Sequence, residues 1–379
     1  MRGYHLDSGA HRCAFKIELF KAFDLVRWGF LWDAMDLLGF PSRFSLWIRR
    51  CVSSSMFSVN INGSLHGYFP GKRGLRQGDP FYSFLYVACM EVFPCIFDSL
   101  IVASGSFKFH WRCSKTSISQ LCFSDDLLLF FFGNMDSVLV LKQALDLFST
   151  LFGMPINLSK SIMFSTGISS GVRDSIEAAM GTKGGSLLLC YLGVPLITKR
   201  LRAADCAMLE ENIFRRIKVW TNNFLSFAGR LQLVQSVLFS MQAFWGNHFI
   251  LLKKVSKSIE SKLRCFLWKG PLSFFGAKVA WDLVARTKEE GGLGIKRVQD
   301  WNQAAMVRHV WNLCDPAHSS VWVDWAHFFL LGRSQFWVAK LPWNCSWTWR
   351  KILGLRVFLK DHISFLIGNG LSTFLWFDP

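Results

Sequence analysis

Apolar and polar positions alternate from Cys13 to Leu19 and again from Phe57 to Ile61, the period-two signature of strands with one face on a core. Asn62-Gly63 after the second run predicts a tight hairpin turn into another strand. Trp28 to Leu38 carries its apolar residues at helical spacing, with Gly39 and Pro41 as a stop signal. Phe84 to Leu100 is apolar at the same spacing. Val138, Leu141, Leu145, Phe148 and Leu151 recur every three or four residues up to Gly153, predicting a further helix. Two short apolar runs, Leu121-Cys122-Phe123 and Leu127 to Phe132, read as buried strands. Beyond about Arg200 the spacing turns helical, over 202–224, 229–244 and 255–268, after a loop at 181–186. From about Gly270 the chain is Trp-rich and irregular. Strands mixed with helices, followed by helices alone, predict an α+β fold with a helical segment behind it.

Between the two short runs sit Ser124, Asp125 and Asp126. A buried carboxylate pair is costly unless cations neutralise it. A hairpin that presents both acids to a divalent metal resolves the cost, and so does an ordinary polar surface turn. The pattern alone leaves both open.

A formal net charge of +17 over 379 residues favours a polyanionic partner, nucleic acid first, against the blander reading of a merely basic protein. That length has room for two or three subdomains with cores. The 37 Phe and 17 Trp raise the question of a membrane. Uninterrupted apolar runs such as Leu127 to Gly133 fall far short of the roughly 18–20 residues of a spanning helix. The start, Met1-Arg2-Gly3-Tyr4-His5, has no signal-peptide character, so no membrane partner is expected. Eleven cysteines lie singly, without a Cys-x-x-Cys pair or a His at zinc-ligand spacing from Cys89 and Cys95. Buried thiols in a reduced compartment, and no zinc site, are expected.

Five segments in order carry more information: Lys16-Ile17-Glu18-Leu19 running into Lys21-Ala22-Phe23-Asp24, then Gly74 to Pro80, Phe123 to Asp126, Gly153 to Ser161, and Tyr191 to Leu196. In this order and spacing they resemble the palm motifs of a reverse transcriptase, in particular the non-LTR (LINE-type) retrotransposon enzymes of plants. Further likeness at 225–230, 266–270, 291–294 and 346–350 extends it over essentially the whole chain. The resemblance implies a right-hand polymerase, with a remnant of the fingers at 1–12 and an antiparallel palm with packed helices at 13–200. A helical thumb at 201–269 would follow, then a Trp-rich extension at 270–379 ahead of a Cys/His module that is missing. The fingers are largely missing too. It implies RNA-directed DNA synthesis from an RNA template, a DNA primer and deoxynucleoside triphosphates, inside the cell, in nucleus or cytoplasm.

Residue by residue, the resemblance makes Glu18 and Asp125 ligands of two Mg²⁺ ions (or Mn²⁺) about 4 Å apart. Asp126 stands beside them and the Leu19 carbonyl completes the shell. Phe23 would block a ribose 2′-hydroxyl, with plain core packing as the competing reading. Arg76, Gln77 and Gly78 would meet the nucleotide, the glycine by close backbone approach. Lys160 would act as general acid to the pyrophosphate, or simply be solvated. Tyr191, Leu192 and Gly193 would hold the primer end. Arg215, Arg216, Lys218 and Arg230 would line a duplex groove or face water.

The sequence also departs from the family. Glu18 stands where the family has Asp, which moves the carboxylate outward by roughly 1–1.5 Å, and a 1 Å misplacement can cost about 10² in rate. Ser124 replaces a usual Ala. Phe81-Tyr82-Ser83 replaces Leu-Ser-Pro, which is expected to strain the nucleotide loop. The chain thus reads as a truncated, partly decayed polymerase, or alternatively as an inactive remnant that at most binds nucleic acid.

Overall fold

The computed structural model describes residues 9–20, 23–182, 184–185, 190–197, 200–221, 225–269, 279–315, 318–332, 334–342, 345–364, 367, 370 and 376. Most of the expected 1–12 remnant, Lys21 and Ala22, part of the 181–186 loop and the end of the expected 202–224 helix lie outside these residues. The chain divides into two compact units at Leu192–Gly193.

The first unit is built on β1 (Arg12–Glu18). It continues with α1 (Trp28–Leu37), α2 (Ser42–Ser53), β2 (Met56–Ile61), β3 (Ser64–Pro70), α3 (Pro80–Met90) and α4 (Val92–Ser104). Then come β4 (Gln120–Phe123), β5 (Asp126–Phe131), α5 (Met135–Phe152), β6 (Ile162–Thr166), α6 (Ser170–Met180) and β7 (Cys190–Tyr191), and β8 (Val194–Pro195) follows just past the division. An antiparallel sheet in the order β4-β5-β1-β6 forms the centre. The alternation of β1 explains its place. Cys13, Phe15 and Ile17 are fully buried, whereas Lys16 and Glu18 on the other face keep partial access to water. Phe30, Phe93, Phe148 and Phe152 pack edge-on or stacked in the same core. Burying each such ring contributes roughly 1.5–3 kcal/mol.

Two expectations change here. The apolar segment around 84–100 is two helices, α3 and α4, meeting at Glu91. Together Pro80–Ser104 are long and apolar enough to cross a bilayer, which counting uninterrupted runs had missed. Their buried residues, among them Leu85, Tyr86, Phe93 and Phe97, belong to the core. Phe81 and Tyr82 lie in the first turn of α3 rather than in the loop before it. Asp79 caps that turn by accepting a 2.9 Å bond from Phe81 N–H, with Pro80 at the first helical position. Neither aromatic has a positive φ, so the expected loop strain is not found.

Beyond β8 the second unit is helical. A 3₁₀ turn (Ala203–Cys206) leads into α7 (Ala207–Thr221), followed by α8 (Phe227–Leu233), a π-helical turn (Val234–Leu238), α9 (Phe239–Gly246) and α10 (Lys253–Lys269). The Trp-rich region read as irregular also folds into helices: α11 (Trp281–Val284), α12 (Val298–Cys314), α13 (Val321–Trp325), α14 (Trp347–Gly354) and α15 (Arg356–Leu359). Buried Asn302 ties α12 to the end of α9. It accepts from Leu251 N–H at 2.7 Å and donates to the Gly246 and Phe249 carbonyls at 2.8 and 2.7 Å.

Candidate active site

β5 runs antiparallel to β1 with Glu18 opposite Asp126, so the two carboxylates share the sheet face that Lys16 also occupies. β4 and β5 pair Phe123 with Asp126, leaving Ser124-Asp125 as a two-residue turn. Ser124 adopts φ +52°, a left-handed backbone that costs a non-glycine residue about 1 kcal/mol or more. Asp125 is exposed at the turn and Asp126 is half-buried.

Both strand-end acids are held by lysines. Lys16 Nζ lies 3.1 Å from Asp126 Oδ1, the side chains only 14 and 23 % exposed. Lys160 Nζ lies 2.9 Å from Glu18 Oε1, at 62 and 30 % exposure. The Glu18 hydrogen bond and charge hold the Lys160 ammonium above its usual range. The loop that carries Lys160 is clamped onto β1. Asn157 N–H donates to the Glu18 carbonyl at 2.9 Å, Glu18 N–H donates to Ser161 Oγ at 3.3 Å, and Ser161 Oγ donates to the Asn157 carbonyl at 2.8 Å. Leu19 extends the strand by one bridge, to Ile156.

The segments expected to meet a nucleotide follow. Phe23 stacks on Tyr86 of α3, ring centroids 4.5 Å apart. Its carbonyl accepts from Leu75 N–H at 2.7 Å, and Gly74 N–H donates to the Val26 carbonyl at 2.8 Å. Gly74 has no alternative, because a Cβ there would lie 2.6 Å from the Asp24 carbonyl oxygen. Arg76, Gln77 and Gly78 are exposed. Gly78 has a φ of +87°, which favours glycine, and no protein atom lies within 4 Å of a Cβ built on it. Tyr86 is fully buried, and among the described residues its hydroxyl has no hydrogen-bond partner. Burial, then the nearby Asp125 charge, push its ionisation well above the usual range. Tyr191 is pushed up to about 12, first by burial and then by the Asp126 charge, which places it near the hairpin. Leu192 and Gly193, both at positive φ, make the turn between β7 and β8.

The structure therefore brings Glu18 and Asp126 together, sets Asp125 beside them in sequence at the turn, and ties Phe23 to the 74–78 loop. Three contributors escaped the sequence reading. Lys16 could have been found, because it lies two residues from Glu18 on one strand face. Ser161 and Tyr86 act through contacts distant in sequence and left no local signal. The carboxylates have the hard-oxygen chemistry of a Mg²⁺ site. As arranged they do not fit one, because two of them are bonded to ammonium groups. Among the described residues no three His, Cys, Asp or Glu gather closely enough to hold a metal ion.

A family model described as reverse transcriptase (RNA-dependent DNA polymerase) matches residues 2–196. An Arabidopsis thaliana protein carrying a ribonuclease H name is 28% identical over 191 residues, 49% of this chain and 30% of the relative. A retrovirus-related Pol polyprotein from a type-1 R2 retrotransposable element of Popillia japonica is 29% identical over 160 residues, 41% of this chain and 21% of the relative. The chain thus spans under a third of the length of either. Among solved structures, telomerase from Candida tropicalis with a fragment of telomeric RNA aligns over 86% of this chain and 50% of its own at 11% identity and a TM-score of 0.36.

Proposed function

The chain belongs to the reverse transcriptase family of non-LTR retrotransposons, and from that premise we propose that it is an RNA-directed DNA polymerase domain weakened in this copy at Glu18. The first unit corresponds to the palm and residues 201–269 to the thumb. RNA template, DNA primer and deoxynucleoside triphosphates are its substrates, and it acts inside the cell, in nucleus or cytoplasm. The observation that carries this reading is the register setting Glu18 opposite Asp126, one residue from Asp125 at the hairpin turn.

The reaction forms a bond from the primer 3′ oxygen, whose proton passes to water, to the α-phosphorus of the nucleotide and breaks the bond to pyrophosphate. Arg76 and the backbone around Gly78 bind the triphosphate from an open loop. Phe23, backed by the Tyr86 ring, presents a rigid wall to the sugar. Tyr191 to Gly193 hold the primer end. Lys160 gives a proton to the leaving pyrophosphate after it lets go of Glu18. That release is easy, because a pair this exposed contributes little. The family uses divalent metal ions. In this chain the carboxylates are not gathered around one, so no step is assigned through it.

A second reading, a nucleic-acid binder that no longer synthesises, is favoured by the two lysine–carboxylate pairs. Primer extension on an RNA template with Mg²⁺ separates the two. Glu18→Asp should extend about 10²-fold faster than wild type, and Asp125→Ala should not extend at all. If Asp125→Ala extends as well as wild type, the hairpin is not the reacting centre. If no variant extends while circular dichroism shows folded protein, the binding reading stands.

A further inference from the structure

The β2–β3 ribbon lies outside that site and differs from the rest of the first unit, because every residue of both strands is exposed. Phe57 pairs with Phe69 and Val59 with His66, so β3 carries one extra residue between them. Gly67, at φ +71°, supplies the left-handed backbone of this bulge. One face presents Phe57, Val59, Ile61 and Phe69, which are 46, 49, 53 and 47 % exposed. The Phe57 and Phe69 rings stack at 6.3 Å. Tyr68 beside them is 75 % exposed. An isolated two-stranded ribbon cannot cover such a face by itself.

Charge decides what covers it. From Leu37 to Gly78 the chain has no Asp or Glu, but it has Arg43, Arg49, Arg50, Lys72, Arg73 and Arg76. Arg49 pairs with Asp36 at 3.1 Å, and the other five are exposed. Arg50 lies in the last turn of α2, which leads into β2, and Lys72 and Arg73 follow β3. Gly71 N–H donates to the Ser55 carbonyl at 2.9 Å and closes the root of the ribbon, so the cations gather where the two strands enter and leave. A ligand that uses both features is a polyanion with flat apolar faces. Single-stranded nucleic acid has phosphates for the cations and unpaired bases for the rings, whereas duplex bases are already stacked on each other.

We propose that the β2–β3 ribbon is a stacking platform for single-stranded RNA, holding the unpaired part of the template; this rests on the RNA-directed reading above, which makes the strand RNA. The test is fluorescence anisotropy of the full chain with a short labelled single-stranded RNA, without divalent metal, over a range of salt. Phe57→Ala with Phe69→Ala should weaken binding about tenfold and leave the salt dependence unchanged. Lys72→Ala with Arg73→Ala should flatten the log–log salt slope by roughly 1.4. These side chains are exposed, and circular dichroism should show the fold intact. Unchanged affinity of the aromatic double variant overturns the proposal. A DNA strand bound tenfold tighter than RNA overturns it as well. So does conversion of a dimer to a monomer in sedimentation with RNA affinity intact, which would make the face a contact between two copies. Failure of the polymerase reading looks different: wild type and Glu18→Asp would both leave a primer unextended, while RNA binding still depended on Phe57 and Phe69.

Discussion

The central sheet and the β2–β3 ribbon are both built from strands whose apolar residues alternate, and they meet opposite environments. Phe15 and Ile17 on β1 are fully buried between neighbouring strands and the helical layer, whereas Phe57 and Ile61 on β2 are about half exposed. Alternation commits a segment to the pleated conformation, because side chains on a strand leave in opposite directions. Burial needs something to lie on the apolar face. β1 has β5 and β6 on either side and a core of α1, α3, α4 and α5. Among the described residues the two strands of the ribbon pair only with each other, and every residue of both stays exposed. The difference lies in the second layer and not in the strand, and it separates stability from recognition.

The largest effect should test that separation directly. Phe15→Ala removes a ring with no exposure from the sheet and should cost roughly 3–5 kcal/mol in urea unfolding. Phe69→Ala on the ribbon should cost less than about 1 kcal/mol, because the ring is half in water already. Equal losses at the two positions would mean that the ribbon is part of the core after all.

The same contrast explains what the sequence disclosed. Cys13 to Leu19, the 121–132 hairpin and the helix ending at Gly153 were legible because period and turn residues are local. The burial of β1 and the exposure of β2 were not, since both depend on partners far along the chain. In the site, Glu18, Asp125 and Asp126 were visible as a motif, and the structure adds that Asp126 is the acid facing Glu18. The positive φ of Gly78 was not legible, because a glycine in sequence does not say whether it answers a crowded neighbour or a left-handed backbone. Gly74 answers to both.

A second prediction concerns acid, and it should act on the sheet and spare the ribbon. His110 is nearly buried beside the end of β5, where Phe109 bridges to Phe131. Burial foremost, then nearby positive charges including Arg112 and Arg12, lower its pKa to about 3. Unfolded, it would titrate near 6.5. Below 6.5 the unfolded chain therefore binds a proton that the folded chain refuses. Stability held above that pH should fall by up to about 1.4 kcal/mol per pH unit between pH 6.5 and 3. Urea midpoints across this range should slope more gently in His110→Gln. An identical slope would mean that the imidazole is charged within the fold.

The smallest expected effect lies at the candidate site, where the two lysine pairs repeat the contrast between covered and open on the scale of one side chain. Lys16 and Asp126 are both mostly shielded from water, so Lys16→Ala leaves a half-buried carboxylate without its cation and should cost about 1–2 kcal/mol. Lys160 reaches Glu18 from a loop in open solvent, and Lys160→Ala should leave the unfolding midpoint where it is. Its consequence should appear in chemistry instead. With Glu18→Asp as background, loss of Lys160 should slow primer extension while stability stays unchanged, because a mobile ammonium can leave a carboxylate to meet pyrophosphate and a shielded one cannot. Were Lys16→Ala silent in unfolding and Lys160→Ala destabilising, the open pair would be the structural one and Lys16 the better candidate for the proton donor.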